Sequence, residues 1–261
     1  MGMRMKKFVV IALTVMLLIS AAFIGMANVY RIDNVVLDAK MFSTAAKSEA
    51  AEIQLALQEA YAGESLLFAE KADADELVKN YPYFRVTKFE KRNPNVLYVE
   101  VTEDMEIFAV QTEHGYYILS QSGTVLSVRE DCNNRVDGEA NIIIEGASPV
   151  GSVGEVVSGA GFAELIKISS ILSGRLNGLR GNIESIEFDR VEDGGRIFLC
   201  MREGVKICLV HAQILTEEKA EKLVQAYLEM LPEQRLTGFL HVTESLDETS
   251  VIIKYQTELF E

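Results

Sequence analysis

The chain has 261 residues, 49% of them hydrophobic, enough to bury the core of one large domain or two ordinary ones and too apolar for disorder throughout. Its 39 Asp and Glu against 25 Lys and Arg give a net charge of -14, and three of the cations, Arg4, Lys6 and Lys7, precede every other charge. So acidic a body repels a phosphate backbone, because nucleic-acid affinity comes largely from cations displacing condensed counterions; DNA and RNA are excluded as partners.

Between Lys7 and Arg31 the chain reads FVVIALTVMLLISAAFIGMANVY, without a charge. Such a run can cross the roughly 30 Å hydrocarbon slab as a helix. The sequence predicts a cytoplasmic tail at 1–7 and a transmembrane helix over 8–30, with everything beyond Arg31 outside by the positive-inside rule. A cleaved signal peptide is the rival, since Gly25-Met26-Ala27 offers small residues at a cleavage position, although the apolar run exceeds the roughly 7 to 15 residues of an ordinary signal. Tyr30 to Ala39 follows, and its run Val35-Val36-Leu37 reads as a first strand. In SEAAEIQLALQEAY, residues Ala50, Ile53, Leu57, Ala60 and Tyr61 recur at helical spacing, Glu49 and Glu52 suit the first turn, and Gly63 ends the helix. A shorter helix is predicted from Asp73, with Glu76 completing a capping box, and it stops before Tyr81-Pro82, burying little beyond Leu77 and Val78.

The stretch KFEKRNPNVLYVEVTED crowds basic residues into an acidic chain. Phe84 to Phe89 is rich in strand formers, and Leu97, Val99 and Val101 alternate with Tyr98, Glu100 and Thr102 as a strand with one buried face does. Arg92-Asn93-Pro94-Asn95 between them is turn chemistry, so the basic cluster marks a solvated hairpin tip and not a phosphate site.

An uncleaved anchor followed by strand, helix, helix, strand, strand, with GESLLFAE between the helices and YPYFRVTKFEKRNPNVLYVEVTE after them, resembles the POTRA domain of the FtsQ/DivIB family of bacterial cell-division proteins. GYYILSQSGTVLSV resembles the first hairpin of that family's β domain, and NIIIEGASPVGSVGEVV is similar to the strand, glycine turn and loop after it. Two positions depart: Glu103-Asp104-Met105-Glu106 keeps only the first acid of an E-R-x-P pattern, and Ser120 stands where Asp is common before the hairpin glycine. Neither is catalytic in the family. The resemblance implies an α+β fold, with an N-terminal transmembrane helix, a POTRA-like βααββ domain over 31–103 and a larger mixed β domain with flanking helices over 104–261. The boundary near Glu103 rests on the resemblance, since no repeat, low-complexity tract or Pro-rich linker is visible.

Farther on, Phe162, Leu165, Ile166, Ser169, Leu172 and Leu176 form one helical face suited to lying on a sheet. IESIEF, RIFLCM and VKICLV read as a meander, with Arg202-Glu203-Gly204 as one turn. Thr216 is a good N-cap for a helix whose Ala220, Leu223, Val224, Tyr227, Leu228 and Leu231 form another stripe, and Pro232 follows its end. GFLHV and SVIIKY supply two last strands.

The residues of enzyme chemistry are scattered. Cys132, Cys200 and Cys208 lack paired C-x-x-C spacing; Cys200 and Cys208 either face each other across a hairpin or are two buried thiols. Val156-Val157 and Gly159-Ala160-Gly161 imitate a dinucleotide fingerprint, but Glu164 replaces its third glycine and the βαβ context is missing. His114, His211 and His241 form no metal-ligand spacing, and no G-x-S-x-G elbow presents a nucleophile. The sequence predicts no catalytic, cofactor or metal residues.

An anchored pair of modules with a strand-rich C-terminal half suits docking by strand addition, in which an extended partner completes an open sheet edge. The final strand is the candidate edge, the alternative being a strand buried on both faces. What the resemblance implies is a single-pass division protein, N-terminus in the cytoplasm and body outside, which joins bitopic proteins of the FtsL and FtsB/DivIC type at the septum and helps control septal peptidoglycan synthesis. The family's partner segment pairs near positions that correspond to Phe239, Leu240, His241, Val242, Val251, Ile252, Ile253, Lys254 and Tyr255, with His241 replacing the acid of a G-x-I-D pattern. An anchored or secreted hydrolase and a POTRA-bearing export component are the alternative functions.

Overall fold

The computed structural model describes residues 13–21, 25–26, 29–44, 46–92, 95–190, 195–210, 216–244 and 251–258. Residues 13–21 are helical, and their large apolar side chains face outward. Among the described residues no helix is long and apolar enough to cross a membrane, and much of the span predicted over 8–30 lies outside them, as does the tail at 1–7. The chain divides after Glu103 into two compact units.

In the first unit the order strand, helix, helix, strand, strand is the one observed: β1 (Asn34–Lys40), α1 (Ala46–Tyr61), α2 (Lys71–Val78), β2 (Phe84–Arg92) and β3 (Val96–Glu103). The sheet runs β1-β3-β2, with β1 parallel and β2 antiparallel to β3. Strict alternation places β3 in the middle, its Leu97, Val99 and Val101 wholly buried beneath Ala46, Ala50, Ile53, Leu57 and Tyr61 of α1. Ala60 is exposed, one position off that stripe. The second helix starts at Lys71 and not at Asp73, with Glu70 as a cap that makes no side-chain bond. The capping box is not used because the helix begins two residues earlier, where burial of Ala74 and Val78 fixes it against the sheet, with the exposed Lys71–Asp75 pair beside them. At the hairpin, Lys88 and Arg92 both pair with Glu90, and the Arg92 guanidinium lies 3.6 Å from the centre of the Tyr98 ring. Lys88 and Arg92 are thus spent within their own hairpin, and Lys91 donates to the Leu67 carbonyl outside it.

The outer edges of this small sheet are guarded. The Gln54 amide of α1 takes the Leu37 N–H at 3.0 Å and donates to the Val35 carbonyl at 2.8 Å, while Gln58 takes the Val35 N–H at 3.2 Å, so side chains of α1 occupy the free side of β1. On the other side β2 carries a bulge between Val86 and Lys88 and a row of charges, two devices that discourage another strand. Glu103, 3% exposed at the end of β3, accepts the backbone N–H of Phe42 and of Ser43 and the Ser43 hydroxyl, closing the connection between β1 and α1.

The second unit is a nine-stranded mixed sheet, made of β4 (Phe108–Thr112), β5 (Gly115–Leu119), β6 (Val125–Arg129), β7 (Ile142–Glu145), β8 (Ile183–Asp189), β9 (Arg196–Met201), β10 (Lys206–Val210), β11 (Phe239–Glu244) and β12 (Val251–Gln256). Its spatial order is β12-β11-β10-β9-β8-β7-β4-β5-β6, parallel at β4–β7, β7–β8 and β10–β11 and antiparallel elsewhere. Parallel neighbours need a crossover: β5 and β6 lie between β4 and β7, and helices supply the other two, α3 (Phe162–Arg175) between β7 and β8, and α4 (Glu217–Glu229), followed by the short α5 (Pro232–Arg235), between β10 and β11. Phe162, Leu165, Ile168 and Leu172 of α3 share one core with Ala220, Leu223, Val224 and Tyr227 of α4. The Thr216 hydroxyl accepts the Lys219 N–H, so the predicted cap is in place.

The glycine run before α3 does sit inside a parallel βαβ unit, contrary to the missing context read from the sequence. The strand of that unit, β7, ends at Glu145, well before Gly159, so the glycines are not the turn that leaves a strand for a helix, and Glu164 still occupies the first turn of α3. At the far side of the unit Glu106 is fully buried: Arg129 donates to its carboxylate at 3.0 and 2.7 Å, and the Arg135 backbone N–H and Asn141 amide donate at 3.1 and 3.3 Å. This network fastens the chain between β6 and β7 to the entrance of β4.

Candidate partner-binding edge

The nine residues expected to bind a partner lie on two neighbouring strands. β11 and β12 pair antiparallel, with Leu240 opposite Tyr255, His241 opposite Lys254, Val242 opposite Ile253 and Glu244 opposite Val251, which places Ile252 opposite Thr243. Because side chains alternate, Leu240, Ile253 and Tyr255 turn toward the core under α4, whereas His241 and Lys254 take the other face. Leu240 is 3% exposed, Ile253 and Tyr255 are half-buried and Lys254 is exposed. Phe239 packs edge-on against Phe198 at 6.3 Å.

β12 stands at one end of the sheet order. Its companion β11 is held on its other side by β10, in register Lys206 to Phe239 and Cys208 to His241. The strand at the opposite end, β6, is shielded at its start, where Val125 donates to the Glu155 carbonyl and accepts from Gly154 N–H, both at 2.8 Å. Among the described residues β12 has no comparable cover: no backbone segment, glutamine or bulge lies along its outer side. Sequence reading located this strand by its apolar run Val251-Ile252-Ile253, a signal that does not distinguish an edge from an interior strand; the parallel join of β10 to β11 decides it.

A residue missed from the sequence controls the geometry. Gly238 precedes β11 with φ +86°, and a Cβ there would lie 2.5 Å from the Gln256 carbonyl oxygen and 2.9 Å from the Tyr255 ring. Its carbonyl also accepts the Lys206 N–H at 2.9 Å, and the Tyr255 hydroxyl donates to the Thr237 carbonyl at 3.2 Å. Glycine is therefore required both for the left-handed turn and for the close approach of β12.

Burial, with Lys254 and Arg196 nearby, pushes the His241 imidazole below its ordinary value, so it is neutral near pH 7. His114 sits in the exposed turn between β4 and β5, with four strands between β4 and β11 in the sheet order, and His211 lies outside the described residues. Cys200 lies opposite Lys206, and Cys208 opposite Phe198, so the two thiols do not face each other across the hairpin; both are buried and free. Burial raises the Cys200 thiol and pushes Cys208 up to about 11, far from the reactive thiolate range. Among the described residues no group of three or more His, Cys, Asp and Glu is placed to hold a metal ion.

No family model matches the chain. It is similar to the cell division protein DivIB of Clostridium botulinum, 31% identical over 72 residues, which cover 28% of each chain; the match therefore spans little more than a quarter of that relative's length. Among solved structures, the major extracytoplasmic domain of the cell division protein DivIB from Geobacillus stearothermophilus aligns over 49% of this chain and 95% of that one, at 11% identity and a TM-score of 0.27, a likeness that carries no structural argument. The resemblance read from the anchor, the βααββ stretch and the hairpins thus has a curated counterpart, a DivIB cell division protein similar to this chain over 72 residues.

Proposed function

We propose that the chain is a single-pass division protein, inserted through residues 8–30 with its N-terminus in the cytoplasm, which works outside the membrane by binding and not by catalysis. Residues 31–103 are its POTRA-like module, and residues 104–261 its β domain. The partner is an extended segment of a bitopic protein of the FtsB/DivIC type, with FtsL as a further member of the assembly at the septum, and the bound state helps control septal peptidoglycan synthesis. Kinship with a protein named for cell division supports the process. The observation that carries the mode of binding is β12, an end strand that among the described residues lacks the guards carried by the other edges. An added strand there takes affinity from main-chain hydrogen bonds and specificity from alternate side chains, with Lys254 and Tyr255 offering a charge and an amphipathic ring.

Truncation after Glu248 removes β12. The expected result is loss of capture of an FtsB/DivIC-type ectodomain while the chain stays in the membrane; normal capture overturns strand addition at β12. In the intact chain the partner is expected to slow amide hydrogen exchange along Val251–Gln256 and to leave β1 unchanged, which separates binding at the edge from collapse of the truncated unit.

A further inference from the structure

The loop between α1 and α2 carries two side chains that the core does not use: Leu67 is 46% exposed and Phe68 67%. The loop is firmly held. Phe68 and Ala69 N–H both return to the Ser65 carbonyl, at 3.0 and 3.2 Å, and the Lys91 ammonium donates to the Leu67 carbonyl at 2.9 Å. It is also bonded to the residues where the uncharged segment ends. Tyr30 N–H closes a helical turn on the Met26 carbonyl at 3.1 Å, the Tyr30 carbonyl accepts Leu66 N–H at 2.7 Å, Arg31 and Ser65 form an antiparallel bridge, and Ile32 N–H donates to the Glu64 carbonyl at 2.8 Å.

We propose that Leu67 and Phe68 enter the boundary between lipid headgroups and acyl chains beside the exit of the anchor, giving the first unit a second contact with the membrane. The inference rests on the reading that residues 8–30 span the bilayer. If they do, Tyr30 and Arg31 stand at the headgroup level, where an amphipathic ring and a cation belong. Phe68 is two residues from Leu66, so the chain carries it no more than about 7 Å away, and the headgroup layer on each side of the hydrocarbon is itself about 5–7 Å thick. An exposed Phe and Leu held at that depth meet the layer in which interfacial apolar groups settle. Glu64 and Glu70 bracket the loop and stay on its watery side, while Arg31 and Lys91 place cations near the phosphates.

The chain has no tryptophan, so Phe68→Trp introduces a single reporter at an exposed position. The full chain carrying it is reconstituted in phosphatidylcholine vesicles and compared with Leu55→Trp, on an outward position of α1 that is 64% exposed. The expected result is a blue-shifted Phe68→Trp emission that loses most of its intensity when the acyl chains are brominated near the headgroup, with Leu55→Trp emission red and unquenched. Water-like, unquenched emission at position 68 in a chain that resists alkaline extraction overturns the lipid contact alone and leaves the loop to a protein partner. Equal quenching at both positions also overturns it, since the unit would then be lying on the bilayer without preference. A chain released by alkali overturns the anchor, and this inference with it.

Discussion

Two buried acids show how position decides the worth of a charge. Lys71–Asp75, an exposed pair at helical spacing, contributes at most about 0.3–0.5 kcal/mol. Glu106 has no exposed side-chain surface, and the Arg129 side chain that meets it is 7% exposed, so removing one partner strands the other in a low-dielectric interior. Glu106→Ala is expected to destabilise the second unit by about 3–5 kcal/mol in urea unfolding, whereas Asp75→Ala shifts the first unit by a few tenths of a kcal/mol. The double change Glu106→Leu with Arg129→Met recovers part of the loss, because no charge is then buried unpaired; recovery stays incomplete because the Arg135 N–H and Asn141 amide lose an acceptor. Glu103 works by the same logic on a smaller scale, as acceptor for the N–H groups of Phe42 and Ser43. The acid at Glu103 is thus a fastener for the turn between β1 and α1.

At the scale of elements the candidate edge depends on a turn as much as on a strand. A methyl group on Gly238 would press into the Gln256 carbonyl and demand a backbone angle that L-residues rarely take. Gly238→Ala is expected to free the C-terminal end of β12, raising amide exchange at Tyr255 and Gln256 and weakening partner capture, while exchange in β9 is unchanged. What could be read from the sequence follows the same division between local and distant. The α1 stripe, the alternation of β3 and the Thr216 cap are set by neighbours within a few residues; the last two stand as read, and the stripe does so except at Ala60. The Asp73 capping box failed because the packing of Ala74 and Val78 outweighed a cap of about 1 kcal/mol. The gaps are contacts between distant residues: Gln54 meets β1 across 17 positions, Asn141 meets Glu106 across 35, and β11 joins β10 in parallel after a whole helix. Periodicity carries no record of such pairings. The candidate strand was therefore identifiable as a strand, but its place at the end of the sheet, and the glycine that seats it, were not.

At the scale of the whole molecule, three cations, Arg4, Lys6 and Lys7, precede every other charge, and the remaining chain carries 22 basic against 39 acidic residues. Each unit keeps its own core, so a variant in one is expected to leave the other folded. The guarded edges have a further consequence, for counting. A protein with two open sheet rims can hand strands on in both directions and grow into a fibre, whereas one rim terminates the chain of additions. With Gln54 and Gln58 on β1, a bulge and charges on β2 and the loop at Gly154 and Glu155 on the first residue of β6, β12 is the least guarded edge among the described residues, and a single socket is expected. Titration with a partner peptide, followed by calorimetry, is expected to saturate at one peptide per chain. Two copies joined through that socket would form a closed pair, and the peptide would have to break it in order to bind.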